Sequence, residues 1–187
     1  MKKLLQMAAL TALAVPMLAV AHGPTRQVVD EKIVINAPIE TVWEMVKDFE
    51  AIGDWHPEVK QVEMQDAETR VITLERDGDP TVTEQIHSVN EERTTLIFNI
   101  RDMSVTETII FNSQETPYYT FPVSTYRSWM FVKEVDGGTE VRWNGKFYRS
   151  FMSNPPVPEG QSDSDAVAEV KAFYIKGLEG LKATLEK

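Results

Sequence analysis

From Asp163 to Glu186 the apolar side chains recur at Ala166/Val167, Val170, Phe173/Tyr174, Gly177/Leu178, Leu181 and Leu185. Steps of three and four residues put them on one stripe of a helix. Ser162, followed three residues later by Asp165, resembles a capping box, with Asp in the place usually held by Glu. No proline interrupts the run, so the spacing predicts a helix of roughly 22 residues, about 33 Å long. Such a stripe needs a broad apolar surface to lie on.

The middle of the chain has the pattern to supply one. Val28 to Asn36 alternates loosely and reads as a first strand. Pro38 suits a first helical turn, and Ile39, Val42, Trp43 and Val46 follow at helical spacing. Asp48 to Pro57, with Gly53 inside it, reads as a helical turn and then a loop. Strands are predicted at Val59–Gln65, Arg70–Arg76, Thr81–Val89, Thr94–Ile100, Val105–Asn112, Thr125–Val135 and Thr139–Tyr148. Asp77-Gly78-Asp79-Pro80 and Asp136-Gly137-Gly138 carry hairpin-turn chemistry. Strands joined this way make an antiparallel sheet with helices on one face, an α+β fold. Phe151–Gln161, with three prolines, is the one long irregular stretch and is expected to lie near a cavity mouth at one end of the helix.

The N-terminus changes the picture of where the chain works. Met1-Lys2-Lys3, an apolar stretch from Leu4 to Val20 and the small-residue pattern Ala19-Val20-Ala21 predict a cleaved signal peptide over residues 1–21. Gln6, Thr11 and Pro16 leave the run short of the ~20 apolar residues of a membrane anchor. Residues 22–187 then form a single periplasmic or secreted domain. The sequence contains no cysteine, which excludes a lipidated cysteine and leaves the fold to stand on its core without disulfides. The formal charge of −10 becomes −12 without Lys2 and Lys3, 17 basic against 29 acidic residues. That balance repels phosphate backbones, so no nucleic acid is expected as a partner. It favours a basic protein partner.

Ala37-Pro38, Val42-Trp43, Val46, Asp48-Phe49 and Trp55-His56-Pro57, followed by a closing strand Thr139-Glu140-Val141-Arg142-Trp143, resemble the START-like polyketide cyclase/dehydrase superfamily (SRPBCC). The order of elements matches as well, over nearly all of residues 22–187. The start His22-Gly23-Pro24 and the Trp-His-Pro turn are similar to MxaD-type periplasmic proteins associated with methanol oxidation. The resemblance implies a helix-grip fold, a curved sheet of about seven strands around the C-terminal helix. It also implies an apolar cavity between the two for a small hydrophobic ligand.

Three places are candidates for chemistry. His56, between Trp55 and Pro57, is placed to face a cavity mouth as a proton donor or ligand contact, or else to hold the turn by hydrogen bonds. Glu84 shares strand parity with Val82 and Ile86, and Glu107 lies between Val105 and Ile109. An inward carboxylate acts as an acid or base if unpaired, whereas pairing with Arg101, Arg127 or Arg142 makes it structural. His22 offers an amine and an imidazole to copper after cleavage, with His56 and His87 the other histidines, although no metal-ligand spacing is visible.

Cysteine nucleophiles, a G-x-S-x-G elbow and phosphate-cradling glycine loops are all missing. The second half is rich in aromatics: Tyr118, Tyr119, Phe121, Tyr126, Trp129, Phe147, Tyr148 and Phe151. The expected cavity residues are Trp43, Trp55, His56, Glu84, Phe98, Trp129, Phe173 and Tyr174. The favoured function is a non-catalytic carrier or accessory protein with no cofactor, binding a small hydrophobic ligand or a periplasmic dehydrogenase or cytochrome. The alternatives are a cyclase- or dehydratase-like enzyme using His56 and Glu84, and a copper-handling protein using His22.

Overall fold

The computed structural model describes residues 23–187. Residues 1–21 and His22 lie outside the described residues. Strand β1 (Gln27–Ile35) is followed by helices α1 (Ile39–Lys47) and α2 (Ile52–Trp55). Then come β2 (Val59–Met64), β3 (Thr69–Leu74), β4 (Thr81–Asn90), β5 (Thr95–Met103), β6 (Val105–Phe111), β7 (Gln114–Tyr119), β8 (Val123–Val135) and β9 (Gly138–Arg149). Helix α3 (Asp163–Leu185) closes the chain. Seven strands form one curved antiparallel sheet in the order β1-β9-β8-β5-β4-β3-β2, and its two edges do not meet. This is the helix-grip arrangement.

Helix α3 begins where the capping residues place it. Ser162 Oγ accepts the Asp165 N–H at 3.1 Å, and the Asp165 carboxylate accepts the Ser162 N–H at 3.0 Å. Two otherwise orphaned backbone donors are satisfied in this way. Ala166, Val170, Phe173, Tyr174, Gly177, Leu178 and Leu181 form the buried stripe. They meet the inner face of the sheet, where Leu96, Phe98, Val141, Trp143 and Phe147 are all 1% exposed or less. Among the described residues no helix is long and apolar enough to cross a membrane.

Among the described residues strands β6 and β7 leave the main sheet and pair only with each other. Asn112 and Ser113, both at positive φ (51° and 63°), make the turn between them. The expected inward position of Glu107 is therefore corrected. Alternation along β6 has no core to refer to, and Glu107 is exposed. The irregular segment 150–162 packs against this hairpin. Phe151 meets Phe111 edge to face at 5.7 Å, and Tyr118 Oη donates to the Glu159 carbonyl at 2.8 Å.

Candidate functional site

The Trp55-His56-Pro57 turn follows α2 and docks on a glycine face of α3. A Cβ on Gly180 would sit 2.0 Å from the Trp55 carbonyl oxygen, and one on Gly177 2.5 Å from His56 Cδ2 and 2.8 Å from Trp143 Cζ3. Only glycine admits so close an approach. His56 is 2% exposed. Its Nδ1 accepts the Glu58 N–H at 3.1 Å, so the proton sits on Nε2, which donates to the Phe173 carbonyl at 3.1 Å. Burial drives its pKa from 6.5 down to about 4, only partly opposed by the Phe173 carbonyl and the Glu58 charge. His56 is thus a neutral, fully hydrogen-bonded ring that fastens the turn to the helix. Burial raises the pKa of Glu58, but hydrogen bonds from Lys176 and Arg76 outweigh that and hold it below its usual range.

Glu84 points inward, as parity predicts, and is 4% exposed. Its partner is Arg70, itself 3% exposed, with Nε 2.8 Å and Nη2 2.6 Å from the same carboxylate oxygen. The three arginines expected for that role lie elsewhere: Arg142 binds Asp30, Arg127 binds Asn99, and Arg101 is exposed. Arg70 also donates to the Phe49 carbonyl and lies 3.7 Å above the Phe49 ring. Strand parity already marks Arg70, which alternates with the apolar Ile72 and Leu74.

Beside this pair runs a chain of polar side chains. The indole N–H of Trp143 donates to Ser128 Oγ at 2.7 Å, Ser128 contacts Tyr174 Oη at 3.4 Å, and Tyr174 shares a short hydroxyl contact with Tyr126. A Cβ on Gly145 would fall 2.2 Å from Tyr174 Oη, so the missing side chain there makes room for the hydroxyl. Burial raises the pKa of both tyrosines, which stay neutral donors. Glu84, Tyr126 and Tyr174 converge with Ile100, Phe121, Val170 and Phe173 on a gap between sheet and helix of about 10 Å³. A single water needs roughly that much room.

Of the expected cavity residues, Glu84, Phe173 and Tyr174 line this gap. Phe98 is buried beneath Arg70, 5.7 Å from Phe49. Trp43 packs in the core and donates to Glu91 at 2.6 Å. Trp55 is buried beside Trp143, and among the described residues its indole N–H has no partner. His56 does not line the gap. Trp129 faces the outer side of the sheet, because Tyr126, Ser128 and Met130 occupy the inward positions of β8. Ile100, Phe121, Tyr126 and Val170 are gap residues that the expected set omits; Phe121 and Tyr126 stand only among the aromatics of the second half. Among the described residues no three acidic or histidine side chains gather as a metal site.

Several solved structures share the fold. XoxI from Bacillus cereus superposes with a TM-score of 0.62 at 20% identity, covering 86% of this chain and 94% of its own. The Zhui aromatase/cyclase from a Streptomyces species gives 0.61 at 15% identity, with 87% and 94% covered. A START superfamily protein from Mycobacterium smegmatis gives 0.53 at 16% identity, with 85% and 94% covered. No curated protein sequence matches the chain. Residues 26–186 match a family described as polyketide cyclase / dehydrase and lipid transport. The chain belongs to that polyketide cyclase / dehydrase and lipid transport family.

Proposed function

We propose that the protein is a non-catalytic carrier for a small hydrophobic ligand bearing one hydrogen-bonding group. The observation that carries this reading is the convergence of Glu84, Tyr126 and Tyr174 on a gap otherwise walled by Ile100, Phe121, Val170 and Phe173. An apolar site with a few polar groups is the usual make-up of a small-molecule pocket. The gap holds no such ligand at about 10 Å³, so binding requires its walls to move apart. An acid–base enzyme using His56 with Glu84 is less well supported. Both nitrogens of His56 are engaged away from the gap, and Glu84 is held by Arg70.

Native mass spectrometry of protein purified from its own source tests the carrier reading. A co-purifying apolar molecule is expected, and Val170→Trp, which fills the gap, is expected to lose it. Protein that is empty and fails to take up any apolar probe overturns the reading.

We further infer that the protein acts in the periplasm as an accessory to a dehydrogenase or cytochrome, in a setting such as methanol oxidation. The signal-like N-terminus and the MxaD-type turn at Trp55-His56-Pro57 support this. So does an open groove of about 720 Å³ where Glu44, Asp48, Asp54 and Glu91 surround Met45, Val89 and Leu185. Lys47, which also lines it, is itself paired with Glu44 and Glu91. Acidic rims around apolar floors favour docking of basic partners. Co-purification of such an enzyme, lost at high salt, is the expected result. Its absence at low salt counts against the docking role.

A further inference from the structure

The outer face of the sheet carries a basic groove in an acidic protein. Strand β5 pairs with β8 from Thr95↔Phe131 to Asn99↔Arg127 and no further. Just beyond that point β8 bulges between Ser124 and Arg127, with Thr125 at φ 51°. The two strands part there, and a groove of about 330 Å³ opens, lined by Arg26, Arg101, Arg127, Trp129, Ile100 and Tyr126 among others. Among the described residues no carboxylate lines it. In register, Lys146 sits directly opposite Arg127, and its ammonium lies 5.2 Å from the Trp129 ring.

Like charges opposite each other across a strand pair are destabilising. The chain has 29 acidic residues against 19 basic ones, so a partner for each cation is easily supplied. Yet among the described residues none of Arg26, Arg101, Arg127 and Lys146 forms an ion pair. Arg127 is held in place by Asn99, to which its Nε donates at 2.8 Å. Asp102 lines the adjoining groove of about 290 Å³. A local cost with no internal compensation is what an external anion would relieve.

Ile100 and Tyr126 line both this groove and the interior gap. They are a wall one residue thick, in the part of the β5–β8 seam that has no ladder pairing. We propose that the groove is the headgroup site for an alkyl carboxylate, whose tail passes between Ile100 and Tyr126 into the gap. The guanidinium forks of Arg101 and Arg127 take the carboxylate, as planar donors suit it. Trp129 and the Lys146 stem flank the first carbons. This assignment rests on the carrier reading above, and adds to it the ligand's charge and its way in.

Titration calorimetry with dodecanoate, dodecanol and acetate tests it. Wild-type protein is expected to bind dodecanoate at least tenfold tighter than dodecanol, and acetate weakly. The double variant Arg101→Gln/Arg127→Gln, both outside the core, is expected to bring dodecanoate down to the dodecanol level and leave dodecanol unchanged. Dodecanol binding as tightly as dodecanoate to the wild type, or a preference that survives in the double variant, overturns the headgroup site while leaving the carrier reading intact. Neither ligand binding overturns both. Binding to anionic vesicles without binding of free dodecanoate also overturns the proposal, and assigns the cations to a membrane surface instead.

Discussion

His56 lies flat on Phe173 and hydrogen-bonds to the backbone of that same residue. The ring centroids are 3.9 Å apart with the planes at 27°, and Nε2 is 3.1 Å from the Phe173 carbonyl oxygen. The α2 turn and the α3 helix are joined at this point by stacking and hydrogen bonding from one side chain.

The join is sensitive to acid. The folded-state pKa of His56, about 4, lies below the ordinary 6.5. As pH falls, the unfolded chain takes up this proton first, so stability present above pH 6.5 is lost on the way down to about pH 4. The full shift corresponds to about 3 kcal/mol. Urea denaturation at a series of pH values is expected to show this slope in the wild type and a shallower one in His56→Gln. Parallel slopes in the two proteins would refute it.

Gly177→Ala is expected to destabilise the fold by about 1–3 kcal/mol through overpacking, although alanine is the better helix former by about 1 kcal/mol. The added methyl meets two rigid rings, His56 and Trp143, below 3 Å. The denaturation midpoint measures the balance of the two effects. A variant as stable as wild type would show that the turn can retreat from the helix.

Arg70→Met leaves Glu84 as a buried carboxylate without its cation, and is expected to cost about 3–5 kcal/mol. Adding Glu84→Leu removes the stranded charge and is expected to recover most of that loss. A double-mutant cycle measures the coupling directly. Additive single effects would mean that the pair contributes no interaction of its own.

Ser162→Ala removes one half of the reciprocal cap of α3 and is expected to cost about 1 kcal/mol. Hydrogen exchange of the first helical turn is expected to rise more than exchange at Leu178 or Leu181. Equal loss of protection along the whole helix would contradict a local capping role.

Much of this architecture is readable from the residues alone. The α3 stripe, its cap and the inward turn of Glu84 follow from periodicity. The partner of Glu84 was within reach too. A turn centred on Asp77-Gly78-Asp79-Pro80 folds β3 onto β4 so that Arg70 falls opposite Glu84. Trp129 misleads because the outward residues of β8, Trp129 and Phe131, are bulkier than the inward Ser128, whose hydroxyl serves Trp143. Glu107 misleads because alternation marks a strand but does not say which sheet it joins. The basic groove is invisible in sequence. Arg26, Arg101, Arg127 and Lys146 come together only through the pairing of four strands.

The strand order also sets when the fold can form. Among the described residues strand β1 occupies a sheet edge and has one neighbour, β9, with Gln27 opposite Phe147. A ribosome must therefore deliver β9, which ends at Arg149 of 187 residues, before β1 finds its ladder. Such long-range closure slows folding. It leaves β1 without a ladder partner until β9 has been synthesised.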